Sequence, residues 1–398
     1  MLMKRHSIFG KPFISPSFSR ATASFLVFLQ IVLPPILFAQ TITPDRSVSG
    51  QRPVVNVSDS GIPIVQITPP SPAGVSVNRF IDYNVGQQGL ILNNSGGQSL
   101  TNLAGWIAGN PMLGHTSART ILNEVTGSLP SNLLGYTEVA GHRANLIIAN
   151  PNGITCNGCG FIQVPRLTLT TGRTQFGVGG AISGFDVSAG QIEVKESGFN
   201  ASNIDQVDLI ARSLKVNAEI WANRLEVVTG ANRVDYVTGD AVSQEGVGAA
   251  PTVAIDVSHL GSMYANSIRM IGTERGVGVN SEGIIASLIG DLTLNSAGEV
   301  KIAGGQIQAK KEIQINAKDG IDNAGVIYAE GGVRLTTDGL LQNSNLIAAK
   351  DALNGAADRI VNSGKMVSGI VVSETTGEGE IGMPSDLVLI AKGELQNS

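Results

Sequence analysis

The chain of 398 residues has few aromatic and few charged side chains. Aromatic residues make up 5% and charged residues 15%, whereas 42% of the chain is hydrophobic and 49 residues are glycine. An intrinsically disordered chain is excluded, because it would be richer in charge and poorer in apolar residues. A conventional enzyme of this size usually carries more aromatic residues. The composition therefore favours short Val, Ile and Leu strands joined by small turns.

The sequence also lacks recognisable cofactor motifs. Gly276-Val-Gly278 has no third glycine and no nucleotide-binding context, and the calcium-binding glycine-aspartate repeat is missing. We therefore expect no cofactor and no metal.

Carboxylates for polysaccharide cleavage show no common spacing. The candidates are Asp205, Asp208, Asp235, Asp240 and Asp256. Such an active site gathers several carboxylates and a basic residue on adjacent coils. We expect these residues to be solvated acids in turns, and a β-helical polysaccharide-active enzyme is the alternative.

The amino terminus lacks acidic residues. The only charged residues before Ala39 are Lys4, Arg5, Lys11 and Arg20, and an apolar stretch follows at 25–38. This arrangement is typical of an export signal, because a membrane span needs roughly 20 apolar residues. We expect residues 1–39 to be a signal peptide. The remaining chain has 23 basic and 32 acidic side chains, a net charge of about −9, which argues against a nucleic-acid partner.

Short segments with alternating polarity recur along the chain. Three of them align at Asn323, Asn343 and Asn362, with steps of 20 and 19 residues. Units of this length, each with one or two strands, are typical of a solenoid. Because parallel crossovers are right-handed, we predict an all-β fold, a right-handed parallel β-helix (solenoid) with N-terminal cap strands and extra-helical hairpins. We expect the asparagines and the glycines at matching places to supply left-handed backbone at the corners.

The repeat length also predicts the size of the solenoid. With roughly 20 residues per coil and about 4.8 Å between strands, the mature chain makes about 17 coils. The best helical candidate is the brief segment 202–214. A leucine-rich repeat is the main competing solenoid, but its spaced leucines are missing.

The last residues, from Leu395, repeat the opening of a unit and then stop, so we expect a truncated product or a fragment of a longer protein.

Between residues 78 and 176 the sequence is much more specific. Its ordered blocks are Phe80-Ile-Asp-Tyr-Asn84-Val, Gly89-Leu-Ile-Leu-Asn93-Asn94, Ile107-Ala-Gly-Asn110-Pro111-Met-Leu113, Ala118-Arg-Thr-Ile-Leu-Asn123-Glu124-Val-Thr126, Gly135-Tyr136-Thr-Glu138-Val-Ala-Gly141 and Leu146-Ile-Ile-Ala-Asn150-Pro151-Asn152-Gly153-Ile154-Thr-Cys156-Asn-Gly-Cys159-Gly-Phe161. Together they resemble the secretion domain of two-partner-secretion exoproteins, the filamentous-haemagglutinin group. The form with cysteines is similar to the contact-dependent growth-inhibition exoproteins.

This resemblance implies a secretion and fold-initiating module of a large exported surface exoprotein, either an adhesin or a toxin-delivery protein. In that family the domain crosses the periplasm unfolded, is recognised by the periplasmic domains of an outer-membrane β-barrel transporter, and folds outside. The chain is then not an enzyme and is secreted, or displayed on the outer surface, by a Gram-negative bacterium. Downstream regions would bind any receptor on a host or neighbouring cell.

The resemblance and the repeats together divide the chain into three parts. We expect the signal peptide at 1–39, a two-partner-secretion β-helical domain at 40–290 with its core motifs at 78–176, and haemagglutinin-type repeats at 291–398.

The family's asparagine-proline motifs match two places in the chain. One is Asn150-Pro151-Asn152-Gly153-Ile154; the other, Asn110-Pro111, has Met112 where the family has asparagine. Proline fixes φ and Asn-Gly tolerates positive φ, so the first motif predicts a tight turn. Two interpretations are open: a simple corner of the helix, or a turn that also matters for recognition by the transporter. Met112 puts a turn-forming side chain in doubt at the second motif.

Cys156 and Cys159 are the only cysteines. A Cys-x-x-Cys pair can be a redox dithiol, half a zinc site or a local disulfide. Zinc needs about four ligands, and neither a second cysteine pair nor suitably spaced histidines are present. In an oxidising exported setting a disulfide is favoured, with free thiols as the alternative.

Overall fold

The structure, a computed structural model, describes residues 41–372, 379–381 and 385–398. The predicted signal peptide at 1–39 lies outside these residues. Regular structure in the described part is almost entirely β-strand, and the one helix there is the short 3-10 helix Val178–Gly180. None of the described residues forms a helix long and apolar enough to cross a bilayer.

The chain winds as a parallel β-helix, as predicted, and the helix has three faces. Each coil passes through face 1, then face 2, then face 3, and each strand pairs in parallel with the strand of the same face in the next coil. Face 1 contains Pro63–Gln66, Leu90–Asn94, Tyr136–Gly141, Cys159–Ile162, Ile284–Ser287, Gln306–Ala309, Val326–Ala329, Leu346–Ala349 and Lys365–Ser368. Face 2 contains Val75–Tyr83, Thr120–Val125, Asn145–Ala149, Arg166–Thr170, Leu292–Ser296, Ile313–Ala317, Val333–Thr337, Leu353–Ala357 and Leu387–Ala391.

Three long strands contribute to both face 1 and face 2. They are Phe199–Ala211, Glu219–Thr229 and Ser262–Gly272. Face 3 is a separate 11-stranded sheet. Its strands are Ser131–Leu133, Ile154–Cys156, Gln191–Val194, Ser213–Val216, Val253–Val257, Gly278–Ser281, Glu299–Ile302, Gly320–Asn323, Leu340–Asn343, Arg359–Asn362 and Leu395–Asn397.

Equivalent inward side chains lie one above another, because successive coils pair in register. On face 3 one such row consists of Ile154, Ile192, Leu214, Ile255, Val279, Val300, Ile321, Leu341 and Ile360. No member of the row is more than 3% exposed. Burial of each side chain contributes about 1.5–3 kcal/mol relative to exposure. The rows of the three faces merge into one core that extends from Val65 to Met366.

The repeated asparagines form a buried ladder at the end of the face 3 strands. The side-chain amide of Asn323 donates to Oδ1 of Asn343 at 2.7 Å, and Asn343 donates in the same way to Asn362 at 2.7 Å. Asn362 donates to Asn397 at 2.6 Å. The predicted repeat is therefore confirmed as successive coils.

The expectation of left-handed backbone at these asparagines and at the aligned Gly325 and Gly364 is wrong, because none of them has a positive φ. Among the described residues other than glycine, only Gln163 and Glu196 have a positive φ. The asparagines keep ordinary strand geometry. Their amides satisfy one another inside a core that excludes water, where an unpaired amide is costly.

Antiparallel strands cover the first coil. Ile42–Pro44 pairs with the face 2 strand Val75–Tyr83, and Val54–Val57 pairs with the face 1 strand Pro63–Gln66. These two strands use the backbone groups that an open sheet edge would leave unpaired. The predicted cap strands are confirmed.

Excursions leave the coils and cover their outer surfaces. The first hairpin, Ser99–Thr101 with Gly105–Ile107, packs on outward Ile91 and Ala140 of face 1. The covering sheet, made of Arg173–Phe176, Ile182–Val187, Asn232–Asp235 and Ala241–Ser243, packs on outward Leu122 and Ile147 of face 2. A further antiparallel pair joins Ile370–Val372 to Gly379–Ile381.

A buried ion pair ties one of the two excursions that form the covering sheet, the one with Asn232–Asp235 and Ala241–Ser243, to two corners of the coils. Arg212 donates to both carboxylate oxygens of Glu274 at 2.7 and 3.1 Å, and to the carbonyl oxygen of Val247 at 2.6 Å. The backbone N–H of Ala231 also donates to Glu274 at 3.2 Å. The Arg212 hydrogen bond lowers the pKa of Glu274, and the carboxylate raises the pKa of Arg212. Both groups therefore stay charged and hold the two ends of the excursion.

Two expectations from the sequence are wrong. Faces 1 and 2 each contain twelve strands when the three long ones are included, so the described chain makes about twelve coils rather than about 17, because the excursions consume residues that the estimate assigned to coils. The helical candidate 202–214 lies in the strands Phe199–Ala211 and Ser213–Val216. Its apolar residues Ile204, Val207 and Leu209 point into the core of stacked strands, and this burial outweighs the weak helical spacing.

The ladder predicts a contrast between two neighbouring asparagines. Asn343→Ala removes the acceptor of Asn323 and the donor of Asn362, so we expect a loss of about 2–3 kcal/mol in the free energy of unfolding. The control Asn345→Ala changes an exposed side chain with a single hydrogen bond, to the carbonyl oxygen of Ala324 at 3.3 Å, and we expect a loss below about 1 kcal/mol. Urea unfolding of both variants measures the difference. Equal losses would contradict the role of the ladder.

Candidate functional site: the asparagine-proline turns and the cysteine corner

The motif that begins at Asn150 forms the corner between face 2 and face 3. It follows the strand Asn145–Ala149 and leads directly into Ile154–Cys156. The backbone N–H of Gly153 donates to the carbonyl oxygen of Asn150 at 3.1 Å, which closes a β-turn around Pro151 and Asn152. Oδ1 of Asn150 also accepts from the backbone N–H of Asn152 at 2.9 Å. The tight turn predicted from the sequence is present.

Asn150 itself is fully buried and joins the turn to the preceding coil. Its side-chain amide donates to the carbonyl oxygen of Leu129 and to Oγ of Ser131, both at 3.0 Å. Gly153 has a φ of 119°, and a Cβ there would lie 3.0 Å from the carbonyl oxygen of Gln191 in the next coil. Only glycine both adopts this φ readily and has no Cβ to crowd that oxygen. Asn150 and Gly153 therefore set the spacing of three successive coils.

Asn152 is the exposed member of the turn. Its side-chain amide donates to the carbonyl oxygen of Gly127 at 2.9 Å and to Oδ1 of Asn150 at 3.0 Å. Pro151 and Asn152 line a cleft that is also lined by Arg173–Phe176 of the covering sheet and by the ion-paired Arg79 and Glu124. Pro151 and Asn152 are the members of the motif that the folded protein leaves accessible, since Asn150, Gly153 and Ile154 are buried.

The second motif forms the same kind of turn at a different corner. Asn110 lies in the excursion between face 1 and face 2, and Oδ1 of Asn110 accepts from the backbone N–H of Met112 at 2.9 Å. Leu113 donates its N–H to the carbonyl oxygen of Asn110 at 3.3 Å. The turn therefore forms without the family's second asparagine. Met112 cannot supply the further bond to the preceding coil that Asn152 makes.

Buried asparagines are a shared feature that the sequence alone did not reveal. Six asparagines in the specific region are 0% exposed: Asn78, Asn93, Asn94, Asn110, Asn123 and Asn150. Most of their amides donate to backbone carbonyl oxygens in other coils or excursions; for example, Asn94 donates to Ala118 and His142 at 2.9 Å. They replace strand hydrogen bonds where the chain leaves the ladder. Asparagine in place of an apolar residue at an inward position was the available signal.

Cys156 and Cys159 lie at the corner between face 3 and face 1, and their sulfur atoms are bonded. The two Cα atoms are 5.4 Å apart, and the side chains are 0% and 2% exposed. Asn157 and Gly158 make the corner between them, and Gly158 has a φ of 80°. Within the described residues no group of His, Cys, Asp and Glu side chains could hold a metal ion. The two cysteines thus form a disulfide inside the core.

The carboxylates that could serve an enzyme are closer together than the sequence suggested, and they are already bonded. Asp208 is 3% exposed, so the expectation of a solvated acid is wrong for this residue. Its oxygens accept from Arg166 at 2.7 Å and from Thr168 and Gln206 at 2.8 Å. The reason is register: Asp208 lies beside Thr168 in the ladder and beneath the covering sheet.

Asp235 lines the same small cleft as Asp208. It accepts hydrogen bonds from the backbone N–H groups of Thr238 and Val237, which lower the pKa of Asp235. Asp208 therefore joins face 2 to the covering sheet through Arg166, which also donates to the carbonyl oxygen of Tyr236, whereas Asp235 closes a local turn of that sheet.

Comparison with known proteins agrees with this geometry. Residues 40–302 match the family model of the TPS secretion domain, and residues 290–398 match that of the haemagglutinin repeat. A crystal structure of the filamentous hemagglutinin secretion domain matches with a TM-score of 0.58 and 26% identity, over 90% of this chain and 100% of that one.

Two sequence relatives are similar over most of this chain. Toxin CdiA of Yersinia pestis is 45% identical over 292 residues, which are 73% of this chain and 9% of that protein. The 16S rRNA endonuclease CdiA of Enterobacter cloacae is 39% identical over 374 residues, which are 87% of this chain and 11% of that protein. The chain therefore spans about a tenth of the length of these curated relatives.

The cysteine corner predicts a specific result in mass spectrometry. The native chain should resist alkylation by iodoacetamide after denaturation, whereas prior reduction should expose two thiols that become alkylated. Because the chain has only two cysteines, the count is unambiguous. Reduction should lower the free energy of unfolding by about 1–3 kcal/mol, since the closed loop is short. Two alkylated thiols without reduction would contradict the bond.

Proposed function

The chain belongs to the TPS secretion-domain family, and we propose from this premise that it is the segment by which an outer-membrane transporter recognises a much longer exoprotein. It is a secretion domain of the filamentous-haemagglutinin and CdiA type, and such exoproteins of Gram-negative bacteria reach the cell surface through the periplasm. The partner in this proposal is a β-barrel transporter whose periplasmic domains contact the chain before it folds.

The observation that carries the proposal is the turn from Asn150 to Ile154. A simple corner needs only Asn150, which bonds the preceding coil, and Gly153, which adopts the positive φ. Asn152 is exposed, yet its side-chain amide donates to the carbonyl oxygen of Gly127. The turn at Asn110 has no equivalent hydrogen bond. We therefore assign transporter recognition to Pro151 and Asn152, with Asn150, Gly153 and the buried Ile154 as positioning residues. Asn110 and Pro111 form a secondary turn of the same kind.

The division of labour along the chain is part of the proposal. Residues 40–290 form the secretion domain, and residues 291–398 begin a shaft of haemagglutinin-type repeats. Support comes from the change in structure: the described excursions that pack on face 2 lie before residue 290, and from Leu292 to Asn362 the three faces follow one another with short corners. Residues 1–39 act as the export signal.

The chain is proposed to be non-catalytic. The candidate carboxylates Asp208 and Asp235 are used in structural hydrogen bonds. The names of the relatives describe a toxin and an rRNA endonuclease, and such activity would belong to parts of a longer protein that this chain does not include. Any adhesin function or receptor on a host or neighbouring cell would likewise depend on those parts.

The export test separates recognition from folding. We expect Asn152→Ala to reduce secretion through the cognate transporter about tenfold, and to lower the free energy of unfolding by about 1 kcal/mol, the value of an exposed hydrogen bond. Asn150→Ala should reduce both secretion and stability, because it leaves buried partners unpaired. Secreted protein and urea unfolding of purified protein are the two measurements.

Asn345→Ala is the matched control for this test, since it changes an exposed asparagine in the repeats and should leave secretion unchanged. Normal secretion of the Asn152→Ala protein would remove recognition from the turn and leave it a corner of the helix.

A further inference from the structure

The outer surface of face 1 carries a row of aromatic side chains that lies outside the turns at Asn110 and Asn150. Parallel pairing in register places Asn200, Trp221, Tyr264, Ala286, Gln308 and Tyr328 one above another on the outside. Tyr136 begins the same row and lies over Gly160, where a Cβ would meet its ring at 2.4 Å. Of the chain's two tryptophans and five tyrosines, this aromatic row contains one tryptophan and three tyrosines.

Trp221 is exposed but held in one orientation. Its ring stacks on that of Tyr264, with centroids 4.4 Å apart and an angle of 23° between the planes. Its indole Nε1 donates to a carboxylate oxygen of Glu219 at 2.9 Å. The indole is still 40% exposed. A large apolar surface that is fixed before binding loses little conformational entropy when a ligand covers it.

A hollow adjoins Trp221 at the corner between face 3 and face 1. Its lining includes Asn200, Asn217, Glu219 and Leu260, the last of which is 76% exposed. The lining thus combines an aromatic ring and an aliphatic side chain with amide and carboxylate groups. This is the chemistry that binds a sugar ring, because a sugar offers an apolar C–H surface to the indole and hydroxyl groups to amides and carboxylates.

The charged side chains near the hollow narrow the class of ligand that could bind there. Lys195 at the hollow is paired with Glu193 at 3.0 Å, and Glu219 is bonded to the indole. No basic residue lies in the aromatic row, and the chain as a whole is acidic. A polyanion such as a nucleic acid or a sulfated glycan would therefore be repelled. An uncharged glycan would not.

The position of the row fits a chain-like ligand. The covering sheet lies on face 2, and the first hairpin covers only the early coils of face 1. Between Asn200 and Gln308 no described excursion packs on the row. Because the rows run along the helix axis, successive sugar rings could contact successive coils.

We propose that the aromatic row of face 1 binds an uncharged glycan chain, with the hollow beside Trp221 as its primary subsite. The indole stacks on one sugar ring, while Asn200, Asn217 and Glu219 hydrogen-bond its hydroxyl groups. No bond is made or broken. The site lies on face 1, away from the turn at Asn150, so it is independent of transporter recognition.

The other tryptophan makes a direct test possible. Trp106 lies on the first hairpin and is 70% exposed, outside the row. In a Trp106→Phe protein the fluorescence reports Trp221 alone. Titration with dextran, mannan and laminarin should give a saturable change with at least one of these neutral polysaccharides. Heparin, a polyanion, should give none.

Isothermal titration calorimetry with the polysaccharide that binds then assigns the site. Trp221→Ala should weaken binding about tenfold, the loss expected for one aromatic stacking contact, whereas Trp106→Ala should leave the affinity unchanged. Urea unfolding and secretion of both variants verify that fold and export are intact. Three outcomes would each overturn the proposal: no response to any of the neutral polysaccharides, equal binding of heparin, or unchanged affinity in the Trp221→Ala protein.

Discussion

Every feature of this structure depends on coil-to-coil register. Parallel pairing repeats the same position in each coil, so one choice of side chain is multiplied into a row along the axis. Inward isoleucines, leucines and valines become a continuous core, and asparagines at the end of face 3 become a hydrogen-bonded ladder. Aromatic residues on the outside of face 1 become a platform. Because side chains alternate between the two surfaces of a strand, a shift of one residue would exchange all these roles.

Register also explains why the specific region is rich in buried asparagine. Wherever an excursion leaves the coils, the strand ladder is interrupted and backbone carbonyl oxygens lose their partners. Asn94 and Asn150 restore those bonds with their side-chain amides. In the proposed route the domain folds only after export, so it must find its register outside the cell. Side chains that bond only in the correct register stabilise that one arrangement, so the same residues serve both folding and the proposed role in secretion.

The sequence predicted the regular part of the fold well. The steps between Asn323, Asn343 and Asn362 are local and repeat, so the solenoid, its coil length and its core could be read from them. The turn at Asn150 was also predictable, because proline and glycine restrict the backbone without help from distant residues. The first coil's cap strands and the excursions were expected as a class, although their positions were not.

Features that depend on distant contacts escaped prediction. The number of coils was overestimated because nothing local marks where an excursion such as the covering sheet begins. Asp208 was expected in solvent, but it is buried by contacts with distant parts of the chain, namely Arg166 and the covering sheet above it. Trp221 and Tyr264 are far apart in sequence, and only the register brings their rings together. The turn at Asn110 formed despite Met112, because its bonds use the first asparagine and the backbone.

The effect of single-residue insertions on stability tests the central role of register most directly. One alanine inserted between Ile321 and Asp322 shifts a face 3 strand against both neighbours, while one inserted between Gly248 and Ala249 lengthens an exposed excursion. The account predicts a loss of several kcal/mol in the free energy of unfolding, about 3 or more, for the first insertion, and a loss below about 1 kcal/mol for the second. Similar small losses for both insertions would contradict it.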